Sequence, residues 1–142
     1  MIIRVGLLVL VMAAQAIAFQ SAGSEPAAFV AYYWKARPGK LAEYNDYITK
    51  TAVPIDESAR QAGVFEEVRT VMPTPGPDGA VPEWTHLRIF RLKNAAAVEK
   101  LGPGLDAATA RIVPDEAQRK ANSARSAELR DLLRREVWTE LK

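Results

Sequence analysis

The nine residues Ala28–Ala36, AFVAYYWKA, constrain this chain more than any other stretch, because they have the length and the aromatic and β-branched content of one strand and are apolar on both parities. Phe29, Ala31 and Tyr33 fall on one face and Val30, Tyr32 and Trp34 on the other. Successive strand side chains point to opposite faces. A strand apolar on both is covered on both sides, so this one belongs centrally in its sheet or between two layers.

The rest of the chain supplies the neighbours. RPGK, Arg37 to Lys40, is a turn signal leading into a helix. Leu41, Tyr44, Ile48, Ala52, Ile55, Ala59 and Ala62 then recur in steps of three and four, tracing one helix face, and Gly63 is the expected stop. Pro54 lies inside that stretch, where a missing backbone N–H should kink or divide the helix. VFEEVRTVM alternates as a second strand and runs into PTPGPDGAVPE, Pro73 to Glu83, whose four prolines and two glycines forbid regular structure. Trp84 to Leu92 reads as a third strand, completing a long-looped hairpin. NAAAVEKL reads as a short helix that Gly102-Pro103-Gly104 breaks. In the last third, periodicity alone makes one helix of DEAQRKANSARSAELRDLLRREVWTEL, while part of Leu129 to Thr139 can instead form a fourth strand.

Strand, helix, strand, strand, helix and a final strand is the βαββα(β) order of a ferredoxin-like α+β domain with an antiparallel sheet. Such a sheet carries helices on one face and leaves the other open. Here the open face would carry large apolar residues. An exposed apolar sheet face predicts a partner, and a second copy of the chain is the simplest one.

The first twenty residues, MIIRVGLLVLVMAAQAIAFQ, place Arg4 before an apolar run that ends in Ala16-Ile17-Ala18, the layout of a secretory signal peptide. Cleavage is expected after Ala18, with Ala16 as the second choice. The competing reading, an uncleaved anchor, is disfavoured because the apolar run falls short of the about 20 residues a span requires. On this reading residues 1–18 are the signal peptide, 19–27 a flexible leader and 28–142 one domain. The protein is then expected to be periplasmic or secreted, with no membrane association once the signal is gone.

Of 19 basic and 17 acidic residues, only Arg4 falls in the signal segment, so the mature chain is nearly neutral. No Lys/Arg cluster is interleaved with aromatics, and nucleic acid is not an expected partner. The chain contains no cysteine, which rules out disulfides, a thiolate nucleophile and an iron–sulfur cluster. With a single histidine and no zinc-binding spacing, neither a metal site nor a cofactor is expected.

YYWKARPGKLAEYNDYITKTAVPIDESARQAG is similar to the opening of the dimeric α/β-barrel superfamily, in which a strand, an x-x-P-G-K turn and a helix recur, and which includes antibiotic-biosynthesis monooxygenase-like and NIPSNAP-like proteins. Through KARPGKLAEY, VPIDESARQAG and LRDLLRREVW the chain more closely resembles an uncharacterised group of small exported bacterial proteins in that superfamily. The resemblance implies a homodimer in which two four-stranded sheets pack across the interface, often around a pocket, and it favours the final strand over a continuous helix. Activities in the superfamily range from cofactor-free oxygenation and lactone isomerisation to none, so the fold leaves function to be argued from a site.

The candidate site is built on the third strand, where Thr85, Leu87 and Ile89 suit packing beneath helices and Trp84, His86, Arg88 and Phe90 take the other face. Phe65, Glu67, Arg69 and Val71 from the second strand and Tyr32 and Trp34 from the first complete an aromatic-walled cavity with convergent polar groups. His86 is the expected proton-transfer group, having an ordinary pKa near 6.5. Arg88 or Arg69 would hold an anionic oxygen and Tyr32 would donate to a carbonyl or phenolate. Trp34, Trp84, Phe90 and Glu67 would line the substrate. The leading expectation is an exported homodimer that binds a small aromatic or apolar molecule. The alternative is a cofactor-independent monooxygenase or isomerase using His86, and a third reading is a non-catalytic interaction module. A plainer account stands beside all three: a strand histidine is commonly a hydrogen-bonded structural residue, Glu67 and the arginines can be cross-strand ion pairs, and the tryptophans can be core or interface packing.

Overall fold

The computed structural model describes residues 24–141. The expected signal peptide lies outside them, and the expected leader lies only partly inside. Strand β1 (Ala28–Ala36) is followed by helix α1 (Leu41–Tyr47), a π-helical turn (Ile48–Ala52) and helix α2 (Val53–Gln61). Strands β2 (Glu67–Val71) and β3 (His86–Leu92) form the hairpin. Helices α3 (Val98–Ile112) and α4 (Glu116–Leu129) lead to strand β4 (Arg130–Thr139). The strands make one antiparallel four-stranded sheet in the order β2-β3-β1-β4, the ferredoxin-like arrangement. β1 is central, paired on both edges, as its two apolar faces require.

Pro54 acts through the turn before it. Lacking an N–H, it cannot donate to the carbonyl four residues back. The helix accommodates this by widening: the Val53 N–H reaches the carbonyl of Ile48, a five-residue step. The α1–α2 stretch therefore continues without breaking, keeping Tyr44, Ile48, Asp56 and Ala59 against the sheet.

Gly102-Pro103-Gly104 does not break its helix, contrary to the sequence expectation, because α3 runs through it to Ile112. Leu101 and Ala108 are buried on the core side and hold the helix in place, while Gly102 and Pro103 are exposed, so the backbone group that Pro103 leaves without an intrahelical partner is on the side open to water. Gly104 meets the segment leading into β2, and a Cβ built there would lie 2.4 Å from Cγ1 of Val64. The glycine thus serves close helix packing.

In the last third both elements occur in succession. Asp115 caps α4 by accepting from the Gln118 N–H at 2.7 Å. At Arg130 the backbone becomes extended, and β4 pairs with β1 along its length with a bulge opposite Tyr33–Trp34.

The face of β3 is the reverse of the one expected. Val30, Tyr32 and Trp34 pair directly with Phe90, Arg88 and His86, and directly paired residues share a face. That face lies under the helices, where Ala28, Val30, Phe90 and Leu92 pack with Ala59, Phe65, Leu101 and Ala108. Leu87 and Ile89 lie on the open face with Phe29, Ala31 and Tyr33. Alternation decides which residues go together, but β3 is apolar on both parities. Phe90 and Leu92 are drawn inward because they extend the apolar patch of Ala28 and Val30.

Candidate functional site

The expected site is divided by the sheet. Tyr32, Trp34, Arg88 and Phe90 come together on the helix side, where with Leu105 of α3 and Arg130 of β4 they line a cleft of about 220 Å³. Glu67 and Arg69 lie on the opposite face, because they pair with Arg91 and Ile89. There they border a separate hollow of about 360 Å³ with Phe29 and Trp138. Glu67 and Arg69 form an exposed ion pair at 2.6 Å within one strand, worth at most about 1 kcal/mol. Trp84 packs edge-on against Tyr33, with ring centroids 5.9 Å apart, and does not line the cleft.

The aromatic walls follow from the ladder. Tyr32 and Trp34, two apart on β1, stack with an interplanar angle of 19°, and Phe90 across the strand meets Tyr32 edge-on at 5.9 Å. The polar ends are two guanidinium groups in different states of neutralisation. Arg88 donates to Asp56 of α2 in a buried ion pair and, through Nε, to the Thr70 hydroxyl at 3.2 Å. Arg130 lies over the Trp34 ring at 3.7 Å and donates to the Tyr44 hydroxyl at 2.8 Å and to Ser126 Oγ at 3.0 Å. Among the described residues Arg130 has no carboxylate partner, so its charge is the unneutralised one at the cleft.

His86 is almost wholly buried, opposite Trp34 in the β1–β3 ladder and edge-on to Tyr44 at 4.4 Å. Its Nε2 lies 2.7 Å from Asn45 Oδ1. An amide oxygen only accepts, so with this orientation Nε2 carries the proton and Nδ1 accepts from the Thr85 hydroxyl at 2.9 Å. Burial, and then the charges of Arg130 and Arg88, push the imidazole pKa down to about 4. The ring is therefore neutral near pH 7, with both nitrogens engaged, and does not reach the cleft surface. His86, expected as a proton-transfer group in an open cavity, thus sits in the packed interior, where α1 closes the helix-side face of β3 through Tyr44 and Asn45.

Two members of this arrangement escaped the sequence reading. Asp56 stands eight residues after Ile48, four after Ala52 and three before Ala59, so it is a carboxylate set into the buried helix stripe. That placement was a readable signal of a buried charge. Arg130 carried no comparable signal, since its position depends on where α4 gives way to β4. Burial raises the Asp56 pKa, against the opposing pull of Arg88. Among the described residues no group of three or more His, Cys, Asp or Glu side chains is arranged to hold a metal ion, and no helix is long and apolar enough to cross a membrane.

A ferredoxin-like α+β domain with an aromatic, arginine-capped cleft between sheet and helix is the class that fold and site define. No protein-family model matches the chain, and no curated protein matches it. Solved structures do. HapK from Hahella chejuensis aligns at a TM-score of 0.50 and 8% identity over 80% of this chain and 92% of its own. An EthD-like protein from Ralstonia eutropha JMP134 aligns at 0.50 and 13% identity over 80% and 91%. An ethyl tert-butyl ether D (EthD) family protein from Bacillus halodurans C-125 aligns at 0.48 and 12% over 82% and 99%. The likeness to HapK and to the Ralstonia protein is one of fold.

Proposed function

We propose that this protein binds a small flat aromatic molecule carrying an anionic oxygen, in the cleft between β1, β3 and α3. The observation that carries the reading is Arg130, a guanidinium without a carboxylate partner among the described residues, held over Trp34 at the end of an aromatic-walled cleft. Aromatic walls bury the ring of such a ligand, and a guanidinium pairs with its oxygens. The size fits as well: a cavity of roughly 150 Å³ holds benzene, so about 220 Å³ suits one substituted ring. Binding rather than His86-driven turnover is favoured because the imidazole is neutral, doubly hydrogen-bonded and outside the cleft lining.

Benzoate is the probe of choice, with tryptophan fluorescence as the readout. Arg130→Met should weaken benzoate at least tenfold while far-UV circular dichroism stays that of the parent, and toluene should be indifferent to the substitution. Equal benzoate affinity in parent and variant removes this site from the protein's function.

The open sheet face supports self-association in an exported protein. Phe29, Leu87 and Ile89 lie on it with Val71 and Trp138, which are 41% and 38% exposed. The full-length chain expressed in a bacterium should be recovered from the exported fraction with a mass that begins at Phe19. Light scattering should give a dimer that Ile89→Lys converts to a monomer. A monomeric parent, or a product that retains residues 1–18, contradicts the corresponding half of this reading.

A further inference from the structure

A second pocket lies on the helix side near the β2 edge, separate from the cleft and sharing no residue with it. It has a volume of about 290 Å³ and is walled by Ile48, Val53, Phe65 and Val68, with Asp56 and Thr70 as polar members. These two are set in place by one side chain. Arg88 donates to Asp56 Oδ2 and, through Nε, to Thr70 Oγ1. Each is left with one function unused: among the described residues Asp56 Oδ1 receives no hydrogen bond, and the Thr70 hydroxyl proton has no acceptor. Asp56 as a residue is only 7% exposed, yet Oδ1 is not sealed, since no fully buried side-chain oxygen lacks a partner among the described residues. Asp56 is one of the residues that line this pocket. The side chains at the mouth, Glu57 and Arg60, neutralise each other at 2.8 Å, so the entrance selects neither ion.

We infer that this pocket is a binding site for a small apolar alcohol, whose hydroxyl donates to Asp56 Oδ1 and accepts from the Thr70 hydroxyl while its hydrocarbon body fills the space between Ile48, Val53, Phe65 and Val68. An acceptor and a donor held side by side are matched by a group that is itself both. A carboxylate ligand is rejected by Asp56, and a hydrocarbon leaves the nearly buried Asp56 Oδ1 unpaired while the exposed Thr70 hydroxyl keeps its access to solvent. Burying a polar group without its partner is what makes such a site discriminate.

The test is an NMR titration of the full domain with cyclohexanol and with methoxycyclohexane, which has the same ring and oxygen but nothing to donate. Cyclohexanol should shift the amides of Val53, Asp56, Val68 and Thr70 and bind at least tenfold more tightly than the ether. Thr70→Val, on an edge strand, should weaken cyclohexanol about tenfold. Val53→Trp, which fills the half-exposed mouth without touching the polar floor, should abolish binding. Equal affinities for alcohol and ether, shifts confined to Tyr32, Trp34 and Leu105, or no saturable shift at all would each overturn the inference. None depends on benzoate, so this site and the Arg130 cleft stand or fall separately.

Discussion

Acidification from pH 7 to 4.5 is expected to cost the folded protein about 2–3 kcal/mol through His86 alone. The imidazole is depressed to a pKa of about 4 in the native state, from an ordinary value of 6.5, chiefly by burial. Between those two values the unfolded chain binds the extra proton and the native chain does not. The contribution is therefore fully present above about pH 6.5 and is lost as pH falls towards 4. Urea unfolding at pH 7.0, 5.5 and 4.5 measures it. His86→Gln, which keeps a polar group opposite Asn45 and cannot titrate, should be less stable at pH 7 yet lose much less on acidification. The comparison isolates His86 from carboxylates whose titration begins at the lower end of the window. A parent and variant with the same pH slope would show that the imidazole does not titrate as its surroundings require.

The second large effect is in the Arg88–Asp56 pair. Both side chains are about nine-tenths buried, and Arg88 also ties β3 to Thr70 of β2. Removing one member of a buried pair leaves an uncompensated charge in the interior and typically costs about 3–5 kcal/mol, whereas replacing both with apolar residues of similar volume is often close to neutral. Arg88→Met should accordingly lower unfolding stability at pH 7 by that amount. Asp56→Leu combined with Arg88→Met should recover most of it. Chemical denaturation of the parent, both single variants and the double variant gives the coupling energy directly. Were the double variant no more stable than Arg88→Met, the two charges would not be acting as a pair. Because Arg88 lines the cleft and also holds Asp56 and Thr70 of the second pocket in place, its loss should disturb benzoate and cyclohexanol binding together, while Arg130→Met and Thr70→Val each affect only one.

Much of the architecture was legible because it rests on local periodicity. The two apolar faces of Ala28–Ala36 place β1 between two neighbours, the three-and-four spacing from Leu41 marks the helix that covers the sheet, and the proline-rich segment 73–83 separates two strands of a hairpin. Pro54 marks where the helix departs from α geometry, although the π turn that absorbs it is a packing outcome. The alternatives at the C-terminus were both partly right: periodicity described α4 and the resemblance described β4. Their boundary at Arg130 is where tertiary pairing with β1 offers the backbone more than another helical turn does.

The candidate site was legible in its residues but not in its grouping. Tyr32, Trp34, Arg88 and Phe90 do converge, whereas Glu67 and Arg69 are on the other side of the sheet and His86, beside Trp34, is held by Asn45 and Thr85 outside the cleft lining. By itself the sequence determined the element order, the central position of β1 and the sets of residues that share a face, since these follow from spacing along one strand or helix. Only the tertiary structure decided which face of β3 turns inward, how closely α3 passes Val64 at Gly104, and that Arg88 answers Asp56 while Arg130 answers no carboxylate among the described residues. Those outcomes depend on which apolar surfaces bury the most together and on contacts between residues tens of positions apart, which no local pattern records.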